Sequence, residues 1–269
     1  MYEVLCKDTI NSEILPYLSL AKRGYTCKGD IVEVINCILY KLKTGVQWRF
    51  LPVKALFSKV VLSYKTVFAH FRKWCKNGEW ESMWINLLKK HHNILNMSSV
   101  DLDGSHTRAI RGGESVGYQG RKKSKTTNAL YLTDRQGLPL AMSSPVSGEH
   151  HDLYKIEKSM DNIFQTLQKA DILVEGLFLN ADAGFDSKEL RKQCTDRGVF
   201  PNVCFNKKNK EHDDNDYVDE VLYKERYSIE RTNAWMDSFR SVLNRYDTTL
   251  SSWTAWNYIA FAILLLRKC

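Results

Sequence analysis

Three short segments, VDLDGSH at 100–106, NALYLTD at 128–134 and PLAMSSPVS at 139–147, carry the alternation of β-strands, and Gly137 suits a hairpin turn between the last two. Beyond them the pattern changes. A helix from about 153 to 169 is marked by Ile156, Met160, Ile163, Phe164 and Leu167. It is followed by a strand at 176–182, a helix at about 187–197, a strand through VFPNVCF and a long helix near 221–244. Three strands, then helix, strand, helix, strand and helix, leave few arrangements open. The chain must build a mixed α/β sheet with helices on its faces.

The N-terminal third has a different texture. Ile31, Val34, Ile35, Ile38, Leu39 and Leu42 form one helical stripe that Gly45 and Pro52 end. Tyr64, Val67, Phe68, Phe71 and Trp74 form a second, with Lys65, Arg72, Lys73 and Lys76 largely off it; Trp80, Met83, Trp84, Leu87 and Leu88 form a third. Residues 1–95 are therefore expected to form a small all-helical domain with a basic face, of the kind that lays a helix against DNA, ahead of an α/β domain at 96–269. Trp48, Trp74, Trp80 and Trp84 are expected in the core. Lys plus Arg number 39 against 31 Asp plus Glu, and a formal charge of +8 favours a polyanionic partner.

Seven cysteines without a CxxC pair point to a reducing, cytoplasmic setting and away from zinc. The first residues lack a signal-peptide pattern, and the apolar run Trp256–Leu266 is too short to span a bilayer, so it is expected as a buried closing helix. The polar stretch 206–219 reads as an exposed loop.

Within this frame the acids stand out. In NADAGFDSKEL, Asp182 ends an apolar strand and Gly184 follows it, where α/β folds hold their chemistry. Asp103, followed by Gly104 and Ser105, also reads as a strand-end acid. On the helix near 221–244, Tyr223, Arg226, Glu230, Asn233 and Asp237 share a polar sector opposite Ile229, Trp235, Met236, Phe239 and Leu243, which leaves open whether Glu230 meets a cleft or water. Two strand-end aspartates and a helical glutamate are the minimum set for two Mg²⁺ ions about 3.5–4 Å apart, the arrangement that serves phosphodiester chemistry. Between the first two strands, Arg121, Lys122, Lys123 and Lys125 crowd a glycine-rich segment suited to phosphate binding. In GEHHD at 148–152, Asp152 reads as a helix cap, and the adjacent histidines point to opposite faces.

VDLDGSHT, NADAGFDS and YKERYSIERTNAWMDSFRSVLNRYD together resemble the three acidic motifs of bacterial insertion-sequence transposases of the DDE class. The last matches that family's signature of Tyr, Arg and Glu, here Tyr223, Arg226 and Glu230; Asp237 stands where a Lys is frequent. LKTGVQWRFLP and KWCKNGEWE resemble the family's N-terminal region, so the likeness covers nearly the whole chain. It implies a ribonuclease H-like catalytic core, whose order of elements the segments above follow. Asp103, Asp182 and Glu230 would hold Mg²⁺, with Mn²⁺ able to substitute, while Tyr223 and Arg226 would contact DNA. Asp101 is the rival first acid; the family's small residue after the acid favours Asp103. The expected partners are duplex DNA, as terminal inverted repeats and target, and a second copy in a homodimer, with no membrane and no nucleotide cofactor. The expected place is the bacterial cytoplasm, on the nucleoid when bound. A structure-selective nuclease on the same fold and a DNA-binding protein without cleavage are the alternatives.

Overall fold

The computed structural model describes residues 3–20, 26–206, 218–224 and 226–269. In chain order its main elements are α1 (Ile31–Thr44), α2 (Tyr64–Lys76), α3 (Glu79–Lys90), β1 (Val100–Ala109), β2 (Ser124–Asp134) and β3 (Pro139–Met142). They continue with α4 (Ile156–Lys169), β4 (Phe178–Ala181), α5 (Lys188–Thr195), β5 (Phe200–Val203), α6 (Tyr227–Asp237) and α7 (Leu250–Leu266). Two compact units result: Met1–Leu87 with Ile110–Gly113 and Met236–Cys269, and Leu88–Ala109 with Glu114–Trp235. The C-terminal segment thus clusters with helices that a division at 95/96 separates from it. Apolar periodicity reports that a helix is buried and is silent on what covers it.

The second unit holds the sheet, in the order β3-β2-β1-β4-β5. β1 runs antiparallel to β2 from Val100 opposite Asp134 to Arg108 opposite Thr126, and β3 adds to β2 antiparallel. On the other side β1, β4 and β5 are parallel. This is the ribonuclease H arrangement, a mixed sheet with helices against it. From Thr126 to Asp134 both faces of β2 are buried, α4 packs on β3 and α5, and α5 packs on β5. Such cover buries the polar Thr126, Thr127, Asn128, Thr133 and Asp134 along with the apolar residues, so the alternation seen in the sequence does not mark an exposed face.

The helical unit is built on stripes. Asp30 caps α1 by accepting the Val32 N–H at 2.8 Å, and Gly45 closes it at φ 70°, a left-handed position that glycine occupies without steric cost. Trp74, Trp80 and Trp84 are buried, as their spacing predicts; Trp48 is only partly so and Phe68 is exposed. α7 is buried along nearly its whole length, and among the described residues no helix is long and apolar enough to cross a membrane.

Glu33 is the buried acid of this unit. It accepts Lys7 Nζ at 2.9 Å and Ser58 Oγ at 2.6 Å. Burial raises its pKa, but Ser58 and Lys7 outweigh that and hold it below the usual glutamate range. Its stabilising contribution is therefore complete above the ordinary glutamate pKa and is lost as pH falls through the lowered value. Glu33→Gln is expected to cost about 1–3 kcal/mol at neutral pH, and the difference from the parent should shrink below about pH 4 in denaturant titrations.

The helix expected over 221–244 is broken. It consists of Glu220–Lys224, α6 and Arg240–Leu243, with Phe239 extended at φ −97° and ψ 100°. Neither Gly nor Pro marks the breaks, so the helical period runs through them unaltered. Most of the 206–219 stretch lies outside the described residues.

Candidate active site

Asp182 follows β4 directly. Its Oδ1 accepts the Gly184 N–H at 2.8 Å, which fixes the carboxylate at the head of a tight turn. A Cβ on Gly184 would lie 2.9 Å from that same oxygen, so a side chain there would push on the carboxylate.

Asp103 is not at a strand end, since β1 continues to Ala109. Its parallel ladder with β4, however, stops at Asp101 opposite Asn180. Continuing that register by two residues sets Asp103 beside Asp182, at the lip where the shorter strand gives out. Crevices beyond the carboxyl ends of parallel strands are where this class of sheet binds ligands. Asp103 accepts its neighbour Gly104 N–H at 2.8 Å and Asn233 Nδ2 at 3.2 Å. Burial raises its pKa; repulsion from Asp182 and Asp152 adds to the rise, while the Gly104 N–H and the Arg226 charge oppose it.

Asp101 occupies a different environment. Only 1% exposed, it accepts Asn180 Nδ2 at 2.8 Å and the Ser228 hydroxyl, which ties β1 to β4 and α6. Its carboxylate belongs to a closed network, whereas that of Asp103 is partly open.

Glu230 lies on α6 one turn before Asn233, the residue that reaches Asp103. Its own side chain is exposed, and among the described residues no three His, Cys, Asp or Glu side chains stand close enough together to hold a metal. Two acids thus converge, and the helix bearing the third is tethered to one of them. Tyr223 and Arg226 approach the same pair. Arg226 stands 5.5 Å from the Tyr223 ring centre, and its charge acts on both Asp101 and Asp103. Burial raises the Tyr223 pKa, as do its bond to Cys204 and the Asp182 charge. Asp219, one conceivable ion-pair partner of Arg226, instead caps the short helix after it through the Val221 and Leu222 N–H groups; Glu225, the other, lies outside the described residues.

Asp152 requires a correction. It does not cap α4, which starts at Ile156 after Lys155 in a left-handed conformation at φ 53°. Its carboxylate turns into the site, where Oδ1 accepts Asn128 Nδ2 at 2.8 Å and lies 3.5 Å from His106 Nε2. Burial works against its charge, but the His106 and Asn128 bonds and the charges of His106 and Arg121 prevail and lower its pKa. A Cβ on Gly104 would come within 2.2 Å of Asp152 Oδ1, so this fourth acid is seated flush on the backbone next to Asp103. The motif GEHHD was visible in the sequence; its fit to a cap concealed the other use.

Of the basic residues, Arg121, Lys123 and Lys125 are exposed, while Lys122 Nζ donates to the His106 carbonyl at 2.8 Å.

Comparison with known proteins bears on this arrangement. The family model for the transposase DDE domain matches residues 95–265, and that for a transposase of the IS4/5 family matches residues 8–84. No curated protein matches the chain. Among solved structures, a Mos1 transposase paired-end complex with the left transposon end is 10% identical, covering 92% of this chain and 82% of its own at a TM-score of 0.30. A Mos1 mariner paired-end complex with Mn is 12% identical, covering 97% and 85% at a TM-score of 0.29. Superpositions this loose do not set the fold, which rests on the strand order. With family models matching well over half its length, the chain belongs to the insertion-sequence transposases of the DDE class, metal-dependent enzymes that cut and transfer DNA.

Proposed function

We propose that this transposase binds the terminal inverted repeats of its element and cuts and joins strands with Mg²⁺ held by Asp103, Asp182 and Glu230. The observation that carries the reading is the β1–β4 register, which continues to Asp103 beside Asp182, together with the bond from Asn233 that ties the Glu230 helix to Asp103. Carboxylate oxygens are the donors that hard divalent cations take, and the mutual repulsion of Asp103 and Asp182 is what a cation relieves. When bound, a pair of Mg²⁺ ions, or of Mn²⁺ in their place, activates the attacking oxygen and stabilises the leaving one. The protein's own part is positioning. Gly184 and Gly104 fix the two aspartates, and Glu230 has to turn from solvent toward them.

Arg226 and Tyr223, the other members of the Tyr-Arg-Glu signature, lie where they can hold a phosphate against the acids. The helical region within 1–95 is the proposed DNA-binding domain and 96–269 the catalytic one. Joining two element ends calls for two catalytic sites, hence a homodimer. Arg121, Lys122, Lys123 and Lys125 are assigned to DNA phosphates. Alanine at Arg121, Lys123 or Lys125 is expected to lower the slope of log affinity against log salt by about 0.9 per lost contact. The drop at Lys122 should be smaller, because its amine is already engaged. Anisotropy titrations across a salt series measure both.

The test is a purified-protein assay on duplexes carrying the short inverted repeats that flank the coding region. Mg²⁺-dependent nicking at the repeat ends, followed by joining of precleaved ends to a target plasmid, is the expected result. The rival reading is a DNA-binding protein without cleavage. Tight end binding with no cutting in either metal would establish that rival.

A further inference from the structure

Three buried polar side chains stand in line across the parallel half of the sheet. Asp101 on β1 pairs with Asn180 on β4, and Asn180 with Asn202 on β5, so the three occupy one level of three neighbouring strands. They are 1%, 0% and 3% exposed. Asn202 Nδ2 donates to Asn180 Oδ1 at 2.7 Å, and Asn180 Nδ2 donates to Asp101 Oδ1 at 2.8 Å. Apolar side chains would close this face more simply, since buried amides and carboxylates are costly unless their bonds are made. Side chains two apart on a strand share a face, and Asp182 is still extended at φ −73° and ψ 169°. The row therefore lies directly beneath Asp103 and Asp182.

Both ends of the row reach out of the sheet. At the β5 end Asn202 holds the backbone of one residue from two sides: its Oδ1 accepts the Asp219 N–H at 2.8 Å and its Nδ2 donates to the Asp219 carbonyl at 3.1 Å. That carbonyl also accepts the Tyr223 N–H at 2.9 Å, and the Asp219 carboxylate caps the short helix that carries Tyr223. At the β1 end Asp101 Oδ2 accepts the hydroxyl of Ser228, in the first turn of α6 and two residues after Arg226. Between these two feet the Arg226 N–H donates to the Tyr223 carbonyl at 3.2 Å. Backbone ladders already join the three strands, so what the row adds is the attachment of 219–228 at both ends.

We infer that Asp101, Asn180 and Asn202 are positioning residues for strand cleavage: the row fixes both ends of segment 219–228 and thereby sets Tyr223 and Arg226 against Asp103 and Asp182. It acts through that segment and is not part of the reacting set. The inference rests on the reading of Asp103 and Asp182 as the metal-binding pair, and it gives Asp101, the rival first acid, a different part.

Asn202→Ala releases one foot and Ser228→Ala the other; should one variant not fold, the other carries the test. In each, hydrogen exchange read by mass spectrometry should speed up by roughly ten-fold or more in peptides covering 219–228, while α4 and β3 exchange as in the parent. Single-turnover cleavage of end duplexes should fall by roughly 10–10²-fold, with duplex affinity within about three-fold of the parent, because the loss is one of placement at the reacting centre. In a Tyr223→Ala/Arg226→Ala background the same substitutions should cost less than about three-fold more, since the groups they position are already gone. Asp101→Asn keeps the row intact. Its amide oxygen still accepts Asn180, and its N–H can donate to the Ser228 oxygen, whose own proton has the Asp134 carbonyl at 3.5 Å. That variant should cleave within about five-fold of the parent, whereas Asp101→Leu should lose as much as Asn202→Ala. Unchanged exchange over 219–228, fully multiplicative losses in the doubly substituted background, or an Asp101→Asn variant as inactive as Asp103→Asn overturns the inference. Exchange needs neither DNA nor metal, so a parent that never cuts would sink the transposase reading while exchange still decides whether the row holds the segment.

Discussion

Asp182→Asn is expected to lower Mg²⁺-dependent strand cleavage by on the order of 10³-fold, a loss of about 4 kcal/mol of transition-state stabilisation, and to leave duplex affinity within about two-fold. The substitution is chosen for what it preserves. An Asn carbonyl can still accept the Gly184 N–H that fixes the turn, so only the charge and one ligating oxygen are lost. Asp103→Asn should behave alike: its amide oxygen keeps the Gly104 N–H, and the Asn233 amide, which donates to the other carboxylate oxygen in the parent, can turn over to accept the new N–H. Melting curves give a second readout. Burial and the neighbouring Asp182 and Asp152 disfavour the charged form of Asp103, so the Asn variant should melt no lower than the parent without metal. Added Mg²⁺ should raise the melting temperature of the parent and move the variants little. A variant that cleaved at the parental rate, or that still gained thermal stability from Mg²⁺, would remove these acids from the chemistry.

Gly104→Ala is expected to cost about 10²-fold in cleavage, because a displacement of about 1 Å at a reacting centre has that effect. The added methyl cannot be absorbed by a free side chain: Asp152 Oδ1, 2.2 Å from where the Cβ would stand, is held by Asn128 and faces His106. Either the strand shifts, taking Asp103 with it, or the Asp152 network breaks. Asp152→Ala alone should also impair cleavage, by leaving Asn128 and His106 without their acceptor. In a double-mutant cycle the combined variant should fall well short of the product of the two losses, because the clash disappears with the carboxylate. Multiplicative losses would mean that the two residues act independently, contrary to their contact.

Much of the site could be read from the sequence because its carriers sit at points where local rules are strong. Asp182 is marked by an apolar strand before it and a glycine turn after it, and the structure keeps both. α1 is legible from its stripe and its Gly45 terminus, and the structure adds the Asp30 cap. Asn233 shares a polar sector with Glu230, but a helical wheel gives the sector and not the direction it faces; the contact with Asp103 settles that for Asn233 alone. The use of Asp152 was hidden because a non-glycine residue, Lys155, takes the left-handed conformation at the start of α4. Asp103 is not the strand terminus that its sequence context suggests. Its exposure comes from the shortness of β4, a property of the partner strand that no pattern around residue 103 records.

α7 closes the body that α2 and α3 begin: Trp256 stacks on Phe71 and Phe261 meets Trp84 edge-on, both within one compact unit. During synthesis those early helices must therefore wait, with their greasy sides bare, until residues 250–266 have left the ribosome. An element interrupted by a stop codon after residue 235 should not release a stable repressor-like fragment that competes for its own ends. Its product should aggregate or be degraded, and a pulse-chase comparison of the shortened and intact chains would show the difference.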